Sequence, residues 1–303
     1  MTVHGEKEML PAVSKADGVK ALQNFAERYT EANRKLDPNL NAAYEAGALH
    51  EIDQAGLKAQ RGVRPQGYPD FRPLKFRDEH IAVPKQAGWP KYFLADALTN
   101  RTDAKGNAIR WFLVFSRDSV DAKWRAVHFA TFAGNKAPEL KTDADGFAEA
   151  VPADGKSGLT VDPGKLGKTY ADFLNTGKGD DFASGRFTDG LRANRVKNSH
   201  PIGAQLQWED QPASYPPVSL RTKDGGALVF TSTVSHMQKT WYKGAKITVA
   251  PELRGIVEGS WKGSNRMAFT WVSGQTVKVP AKDAGGKIEI LNRIERITSA
   301  KAQ

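Results

Sequence analysis

Two runs of sequence decide the fold: Ile109-Arg-Trp-Phe-Leu-Val-Phe115 and Lys123-Trp-Arg-Ala-Val-His-Phe-Ala-Thr-Phe132. Both are rich in aromatic and β-branched residues, which favour β-strands. The polar and small residues between them, 116–122, suit a hairpin loop better than a helix. The pattern predicts an antiparallel hairpin at the centre of a curved sheet.

The residues before this hairpin predict helices followed by strands. From Ala16, apolar residues recur three and four positions apart up to Leu36, as on one face of a helix of about 20 residues. Helices that precede a bent sheet are typical of an α+β cone, in which the helices plug the concave face. The predicted elements after this helix are a short helical segment over 39–48 that closes near Gly47, a helix over 50–61, and strands over 74–83 and 91–98.

The second half of the chain repeats this order. Asp162-Pro163 predicts a helix start and Gly177 its end, and residues 179–200 hold enough arginine and lysine for a basic helix. Strands are predicted over 204–209, 218–222, 227–236, 246–250, 255–262, 266–272 and 287–297.

The repeated order predicts two tandem cone-like α+β domains. Their bounds are a tether over 1–15, a first domain over 16–135, a linker over 136–158 and a second, more basic domain over 159–303. The residue-level match between the halves is short, Leu113-Val-Phe115 against Leu228-Val-Phe230. A similar order that arises by chance therefore remains an alternative to duplication.

The positive charge is concentrated in the second half. Residues 1–150 hold 22 Lys and Arg against 20 Asp and Glu, a difference of +2, and residues 151–303 hold 22 against 14, a difference of +8. This asymmetry favours an acidic partner such as a wall polymer, a lipid surface or nucleic acid, although a solvated basic surface without a partner fits equally well.

Several classes of chemistry lose support. The chain has no cysteine, which excludes disulfides, thiolate catalysis and Cys-ligated zinc. The six histidines show no metal-ligand spacing, and no hydrolase elbow, phosphate-binding loop or complete dinucleotide fingerprint occurs. We predict no metal site and no cofactor. No run of about 20 apolar residues suits a membrane span, and the first eight residues lack the apolar core of a signal peptide.

Pocket residues can still be proposed from the cone prediction. Some cone folds hold a carboxylate base in a deep apolar pocket. Asp96 lies within an apolar run, where desolvation raises a carboxyl pKa, and it is a low-odds catalytic candidate because no second residue is tied to it by spacing. A strand-end position facing water is the alternative. The pocket candidates are Tyr29, His80, Trp111 and His128.

Aromatic and cationic residues of the second half are surface-binding candidates. Interleaved rings and cations can bind sugars or single strands, although such residues more often fill a core or its rim. Trp241-Tyr-Lys243 is the best exposed candidate because a loop is expected at Gly244. The surface candidates are Arg192, Arg195, Lys197, Trp241, Tyr242 and Lys243.

Short motifs in a shared order resemble the uncharacterised secreted lipoproteins of actinobacteria. The motifs are Val3-His-Gly-Glu6, Ala21-Leu-Gln-Asn-Phe25 with Ala32-Asn33, Gly47-Ala-Leu49, Ile52-Asp53, Ala87-Gly-Trp-Pro90, Trp111-Phe-Leu-Val-Phe115, Leu220-Arg-Thr-Lys-Asp-Gly-Gly-Ala-Leu-Val-Phe230 and Ile294-Glu-Arg-Ile-Thr298. The resemblance implies an exported protein, anchored through a lipidated N-terminal cysteine, with tandem domains similar to the nuclear-transport-factor-2-like cone. The sequence departs from that pattern because it has neither leader nor cysteine, and we interpret Met1 as replacing both. The resemblance assigns no catalytic residue.

The leading functional prediction is a non-enzymatic, envelope-associated binding or scaffold protein. Its partners would be anionic wall or membrane components or an envelope protein. The alternative is an enzyme that performs acid/base chemistry on a small apolar molecule in a cone pocket. Nucleic-acid binding is the weakest hypothesis because no basic run or reading helix accompanies the charge.

Overall fold

The first part of the chain folds into two helices and a four-stranded antiparallel sheet. In the computed structural model, which describes residues 8–133, 137–245 and 247–303, the sheet order is β2-β4-β5-β6, and β1 pairs separately with β3. The elements are α1 (Lys15–Lys35), α2 (Gly47–Val63), β1 (Leu10–Pro11), β2 (Phe76–Ala82), β3 (Lys85–Gln86), β4 (Lys91–Thr102), β5 (Ala108–Arg117) and β6 (Arg125–Ala133).

The predicted central hairpin is confirmed. Strands β5 and β6 pair antiparallel, with Trp111 opposite Thr131 and Leu113 opposite Phe129. The predicted first helix is also confirmed as α1, whose start is capped by the Ser14 hydroxyl accepting from the backbone N–H of Asp17. The amphipathic helix and the aromatic strands form where their periodicities predicted them.

The second part forms two further helices and a six-stranded sheet. The order is β10-β12-β11-β9-β7, with β8 beside β9, and all pairs are antiparallel except β10 with β12. Helix α3 begins at Pro163 and ends before Gly177, which caps it with φ +66°. The elements are α3 (Pro163–Thr176), α4 (Asp189–Lys197), β7 (Ala204–Pro212), β8 (Val218–Arg221), β9 (Ala227–Trp241), β10 (Val257–Glu258), β11 (Arg266–Val279) and β12 (Glu289–Ala302).

Three local predictions need correction. The helical segment expected over 39–48 is a single 3₁₀ turn, Asn41–Ala43, because the chain from Tyr44 to Ala46 pairs with β6 at Ala126 instead. Residues 247–250, part of a predicted strand, have no regular structure. Of the strand expected over 255–262, only β10 forms. These last two segments cover one end of the sheet, where they bury Val249 and Ile256.

The two sheets pack against each other through an apolar core. Phe112 and Val114 of the first sheet share one buried cluster with Leu220, Leu228 and Phe230 of the second. On β9 the alternate residues Ala227 and Val229 face the opposite way, toward α3. The outer face of the first sheet is therefore covered by the second half of the chain.

Helix α2 is buried on two faces, and this joins the halves further. Its residues Leu49 and Leu57 pack into the core of the first sheet. Ile52 packs instead on Val272 of β11, and Ala55 packs on Ile256. A helix that is apolar on more than one side needs partners on both, and here they come from both halves.

The chain segment that connects the two halves lies along the interface between them. Ala148 forms a bridge with Pro84 of the first half, and Ala150 forms one with Leu220 of the second. The predicted boundary at residue 135 falls outside the described residues, as do residues 1–7 of the predicted tether. No helix in the described ranges is long and apolar enough to cross a membrane.

Candidate functional site

An aromatic wall closes the inside of the first sheet. Tyr29 of α1 stacks on Phe25, with ring centroids 5.6 Å apart, and meets the Trp111 ring edge-on at 5.8 Å. Trp111 in turn contacts Phe129 of β6 at 4.7 Å. The structure thus brings together two of the four predicted pocket residues, Tyr29 and Trp111.

Two acidic side chains lie beside this wall. Glu45 is 1% exposed, and its carboxyl group is within hydrogen-bonding range of the Asp53 carboxyl on α2. The Asn41 amide donates to Glu45 Oε2 at 3.0 Å and to the carbonyl of His50 at 2.9 Å. Pairing of the backbone of residues 44–46 with β6 turns the Glu45 side chain inward.

Burial and mutual repulsion favour a proton on this carboxyl pair. Burial, followed by the negative charge of Asp53, raises the pKa of Glu45 well above its ordinary value. Burial also raises the pKa of Asp53, while the hydrogen bond from Glu45 and the positive charge of Arg296 lower it. Since two adjacent buried carboxylates repel, a pair that holds one proton is favoured over a pair that carries two charges.

Asp53 faces a cavity of about 350 Å³ with an arginine-rich rim. Tyr29, Tyr44 and Phe71 line its aromatic side, and Arg64 and Arg296 stand at its opening. Burial, followed by the charges of Asp53 and Glu45, raises the pKa of the Tyr29 hydroxyl above its ordinary value, which keeps it protonated.

Arg296 comes from the second half of the chain. It extends from β12 across α2 at Gly56, where an added Cβ would lie 3.1 Å from Arg296 Nε. Within the described ranges, neither Arg296 nor Arg64 has a carboxylate partner within 4 Å. Arg64 instead stacks its guanidinium on the Tyr68 ring at 4.4 Å. The cavity therefore offers an acceptor, Asp53, and two guanidinium groups to one small molecule.

Asp96 and His80 lie on the other face of the sheet. Arg110 donates Nε to Asp96 Oδ1 and Nη1 to Asp78 Oδ2, and its Nη2 lies 3.0 Å from His80 Nδ1. Burial raises the Asp96 pKa, as the sequence predicted, but the ion pair with Arg110 opposes that shift. The two residues line an open groove of about 810 Å³ and do not approach Tyr29 or Trp111.

His128 is part of the contact between the two halves. It is 6% exposed, and its ring lies 5.8 Å from that of Phe230. Burial lowers its pKa to about 4, although a hydrogen bond to the carbonyl of Pro216 opposes that shift. His128 is therefore neutral and lines a second, smaller cavity of about 250 Å³.

Two of the predicted surface arginines are engaged within the fold. The predicted basic helix forms as α4, but its Arg195 pairs with Asp210, and its guanidinium lies 4.3 Å from the Trp208 ring. Arg192 donates to the carbonyl of Leu174 at the end of α3. Their charges are therefore used within the fold, whereas Lys197 is exposed.

Trp241 is not the exposed residue that the sequence predicted. It is 6% exposed, because β9 continues to this position and the irregular residues 247–256 pack over it, with Val249 in the same cluster. Its neighbour Tyr242 is 50% exposed, and Lys243 is also exposed. Only the outer part of the predicted Trp-Tyr-Lys surface is available.

Glu45, Asp53 and Arg296 were missed by sequence reasoning. Asp53 carried a signal, since it follows Ile52 and lies four residues after Leu49 and four before Leu57 on an otherwise apolar helix face. No local sequence pattern pointed to Glu45 or Arg296, because their positions depend on contacts between distant segments. Across the described residues, no group of three metal-ligating side chains is found.

Known proteins are similar in sequence to this chain over nearly its whole length. The family model described as Domain of unknown function (DUF8094) matches residues 9–302. An "Uncharacterized lipoprotein" of Streptomyces avermitilis is 41% identical over 308 residues, covering 100% of this chain and 90% of that protein. "Uncharacterized lipoprotein SCO2278" of Streptomyces coelicolor is 39% identical with the same coverage, and "Uncharacterized lipoprotein SCO6871" is 22% identical over 92% of this chain and 80% of its own. No solved structure matches the chain.

Proposed function

This chain belongs to the DUF8094 family, and we propose that it is the extracytoplasmic part of a membrane-anchored lipoprotein that binds a small molecule beside Asp53. The names of its relatives support the anchoring. The cavity supports the binding, because it combines an aromatic wall with a few convergent polar groups. No catalysis is needed for this role.

The observation that carries the proposal is the unpaired Arg296 over the Asp53 cavity. A guanidinium group without a carboxylate partner, placed opposite an acceptor, suits a ligand that has an acidic group and a hydroxyl or amine donor. The rings of Tyr29, Tyr44 and Phe71 favour a flat, partly apolar body between these groups. The ligand class is therefore a small aromatic hydroxy or amino acid.

The architecture in this proposal is two tandem cone-like halves of the nuclear-transport-factor-2-like type. Each half has helices followed by a sheet, and each sheet carries helices on one face. Packing of the opposite faces against each other, together with α2 between the halves, supports a stable scaffold for a cavity that takes residues from both.

The second, more basic half is proposed to face anionic wall or membrane components. Lys197, Tyr242 and Lys243 are exposed and offer cations and one ring. Such an interaction, made by several exposed charges, weakens steeply as salt rises, whereas binding in the Asp53 cavity through one guanidinium weakens less.

The carboxyl pair favours a second function, acid/base catalysis in the same cavity. A carboxyl pair that holds one proton can accept a proton at Asp53 while Glu45 stabilises the charge through its hydrogen bond. An enzyme of this kind would convert its bound molecule, whereas a binding protein would release it unchanged. NMR of each bound compound over hours, with Asp53→Asn as the comparison, separates the two roles.

The binding test uses 4-hydroxybenzoate, which has a flat ring, a hydroxyl donor and a carboxylate. Titration by calorimetry should show binding that Arg296→Gln weakens at least fivefold. The matched control is Arg28→Gln, an arginine of α1 that does not line the cavity and whose Nε donates to Asn24 Oδ1, and it should bind as the parent does. Equal affinity in all three proteins, or no binding by a set of such acids, would overturn the proposal. Labelling of the cellular protein with a clickable fatty acid tests the anchoring separately.

A further inference from the structure

A second cavity opens between the two halves and is mainly apolar. Its volume is about 250 Å³, and Val127 and Tyr92 of the first sheet face Val218 and Tyr215 of the second half across it. This cavity, here called the seam cavity, is smaller than the usual site for a drug-sized molecule. It has room for one narrow hydrocarbon segment and not for the two chains of a phospholipid.

The hydrogen-bond donors of Tyr92, Tyr215 and His128 on its wall already have partners. The Tyr92 hydroxyl donates to the carbonyl of Ser219 at 3.1 Å, and the Tyr215 hydroxyl donates to Glu51. The His128 imidazole is neutral and bonded to the carbonyl of Pro216. A polar ligand would find no unpaired hydrogen-bond donor among these three side chains, so the cavity favours an apolar one.

The open side of the seam cavity carries a loosely held cation. Arg125 and Asp118 both line the cavity, and their side chains are 41% and 78% exposed. The Arg125 Nη2 to Asp118 Oδ2 distance is 3.8 Å, so the pair is weak and solvent-screened. Arg125 can therefore exchange this partner for the acidic head of a bound chain.

Two exposed apolar residues lie close in sequence to lining residues of the seam cavity. Trp89 precedes the lining residue Pro90 and is 42% exposed, and Val120 lies two residues after Asp118 and is 65% exposed. Arg117 connects the two residues, since its guanidinium lies 5.3 Å from the Trp89 ring and its Nη1 donates to the carbonyl of Val120 at 3.0 Å. Lys91 connects Trp89 to Leu10, which is 42% exposed.

This surface, formed by Leu10, Trp89 and Val120 and here called the Trp89 surface, suits the head-group region of a bilayer. A tryptophan that lies beside cationic side chains combines apolar and polar surface, as residues at the membrane–water interface do. A lipid anchor of the kind proposed above would keep the protein at a membrane, where this surface can meet the bilayer.

We propose that the seam cavity binds one acyl chain bearing an acidic head group, with the chain between Tyr92 and Val127, the head at Arg125, and the Trp89 surface on the bilayer. The proposed binding of the acyl chain is inferred from the cavity alone. Only the membrane as the source of the chain rests on the proposed function. A bilayer phospholipid and a free fatty acid share this chemistry and are separated by the test.

The first arm of the test measures binding of cis-parinaric acid, a fluorescent fatty acid, and its competition by decanoate. We expect saturable binding that Val127→Phe, which fills the cavity, weakens at least tenfold. The matched control is Val196→Phe, the same substitution at a residue that is 73% exposed, and it should leave binding unchanged. Ser116→Phe fills the cavity from another strand, and it replaces Val127→Phe in this measurement if Val127→Phe does not fold. Undiminished binding in a folded cavity-filling variant overturns the proposal.

The second arm measures co-sedimentation with vesicles of phosphatidylcholine and phosphatidylglycerol. We expect Trp89→Ala and Val120→Ser to reduce vesicle binding at least threefold without changing the affinity for parinaric acid. Vesicle binding that neither variant alters overturns the bilayer as the source and leaves free fatty acid. Failure of the lipoprotein proposal would appear as absent fatty-acid labelling in cells, with probe binding in solution intact.

Discussion

Glu45 and Asp53 lie within hydrogen-bonding range of one another although both are acids, and burial raises the pKa of each. Repulsion between two such carboxylates favours a state in which the pair holds a proton. Because Asp53 lines the Arg296 cavity and Glu45 does not, the charge that a ligand meets is set by a residue that it does not touch. The protonation of Glu45 thus controls both the stability of the fold and the acceptor in the cavity.

Glu45→Gln should make the protein more stable at neutral pH and flatten its pH dependence. The folded parent holds a proton that the unfolded chain releases, so its free energy of unfolding falls as pH rises from the ordinary carboxyl pKa through the raised one. Glutamine keeps a donor toward Asp53 and carries no charge. Urea unfolding at pH 4.5, 6.0 and 7.5 should show a gain in the free energy of unfolding that grows with pH.

The control for this change is Glu27→Gln, which removes an exposed carboxylate of α1. It should alter the free energy of unfolding by less than about 0.5 kcal/mol at every pH. If Glu45→Gln destabilises the protein equally at all three pH values, the two carboxyl groups do not share a proton.

Arg195→Met should destabilise the protein strongly, because it leaves a buried charge without its partner. Asp210 has a side chain that is 1% exposed and accepts from Arg195 and from the Ser235 hydroxyl. Loss of one member of a buried pair costs about 3–5 kcal/mol, whereas replacement of both often recovers much of that. Chemical denaturation of Arg195→Met, Asp210→Asn and the double variant measures the coupling. The exposed pair Lys168–Asp172 provides the contrast, and Lys168→Met should cost less than about 0.5 kcal/mol.

Sequence reasoning identified the elements that depend on local periodicity. The apolar spacing of α1, the cap at Gly177 and the alternating strands β5 and β6 are properties of neighbouring residues, and each formed where predicted. Tyr29 and Trp111, two of the predicted pocket residues, contact each other because α1 lies over the sheet. Their role in a pocket remains a prediction.

The remaining features depend on contacts that no local pattern encodes. Arg296 reaches the Asp53 cavity only because the two sheets pack face to face and Gly56 leaves space for its side chain. Trp241 is covered by residues whose irregular path resembled a strand in the sequence. Arg195 looked like a surface cation because its partner, Asp210, lies on a different element. Burial by distant segments decided all three cases.

Phe230→Ala should destabilise both halves of the protein together. Phe230 is fully buried in the core shared by the two sheets, and truncation of such a residue costs about 3–5 kcal/mol. Hydrogen exchange should show faster opening of amides in β4 and β5 as well as in β9 and β11. Val196→Ala, at a 73% exposed position, should change neither set. Faster exchange confined to the second sheet would show that the halves unfold independently.

His128→Phe should remove a loss of stability that the parent shows in acid. The folded parent keeps His128 neutral down to a pKa of about 4, from an ordinary value of 6.5, so the unfolded chain binds the proton first. The free energy of unfolding therefore falls between these two pH values, by roughly 3 kcal/mol at 1.36 kcal/mol per pKa unit. Phenylalanine retains the contact with Phe230 and cannot titrate.

Urea unfolding from pH 7 to pH 4 should show that the parent loses stability relative to His128→Phe, while His236→Phe, at an exposed position on β9, should follow the parent. Parallel curves for the parent and His128→Phe would mean that the imidazole is already charged, or already in contact with water, in the folded protein, and that the seam cavity is more polar than its lining indicates.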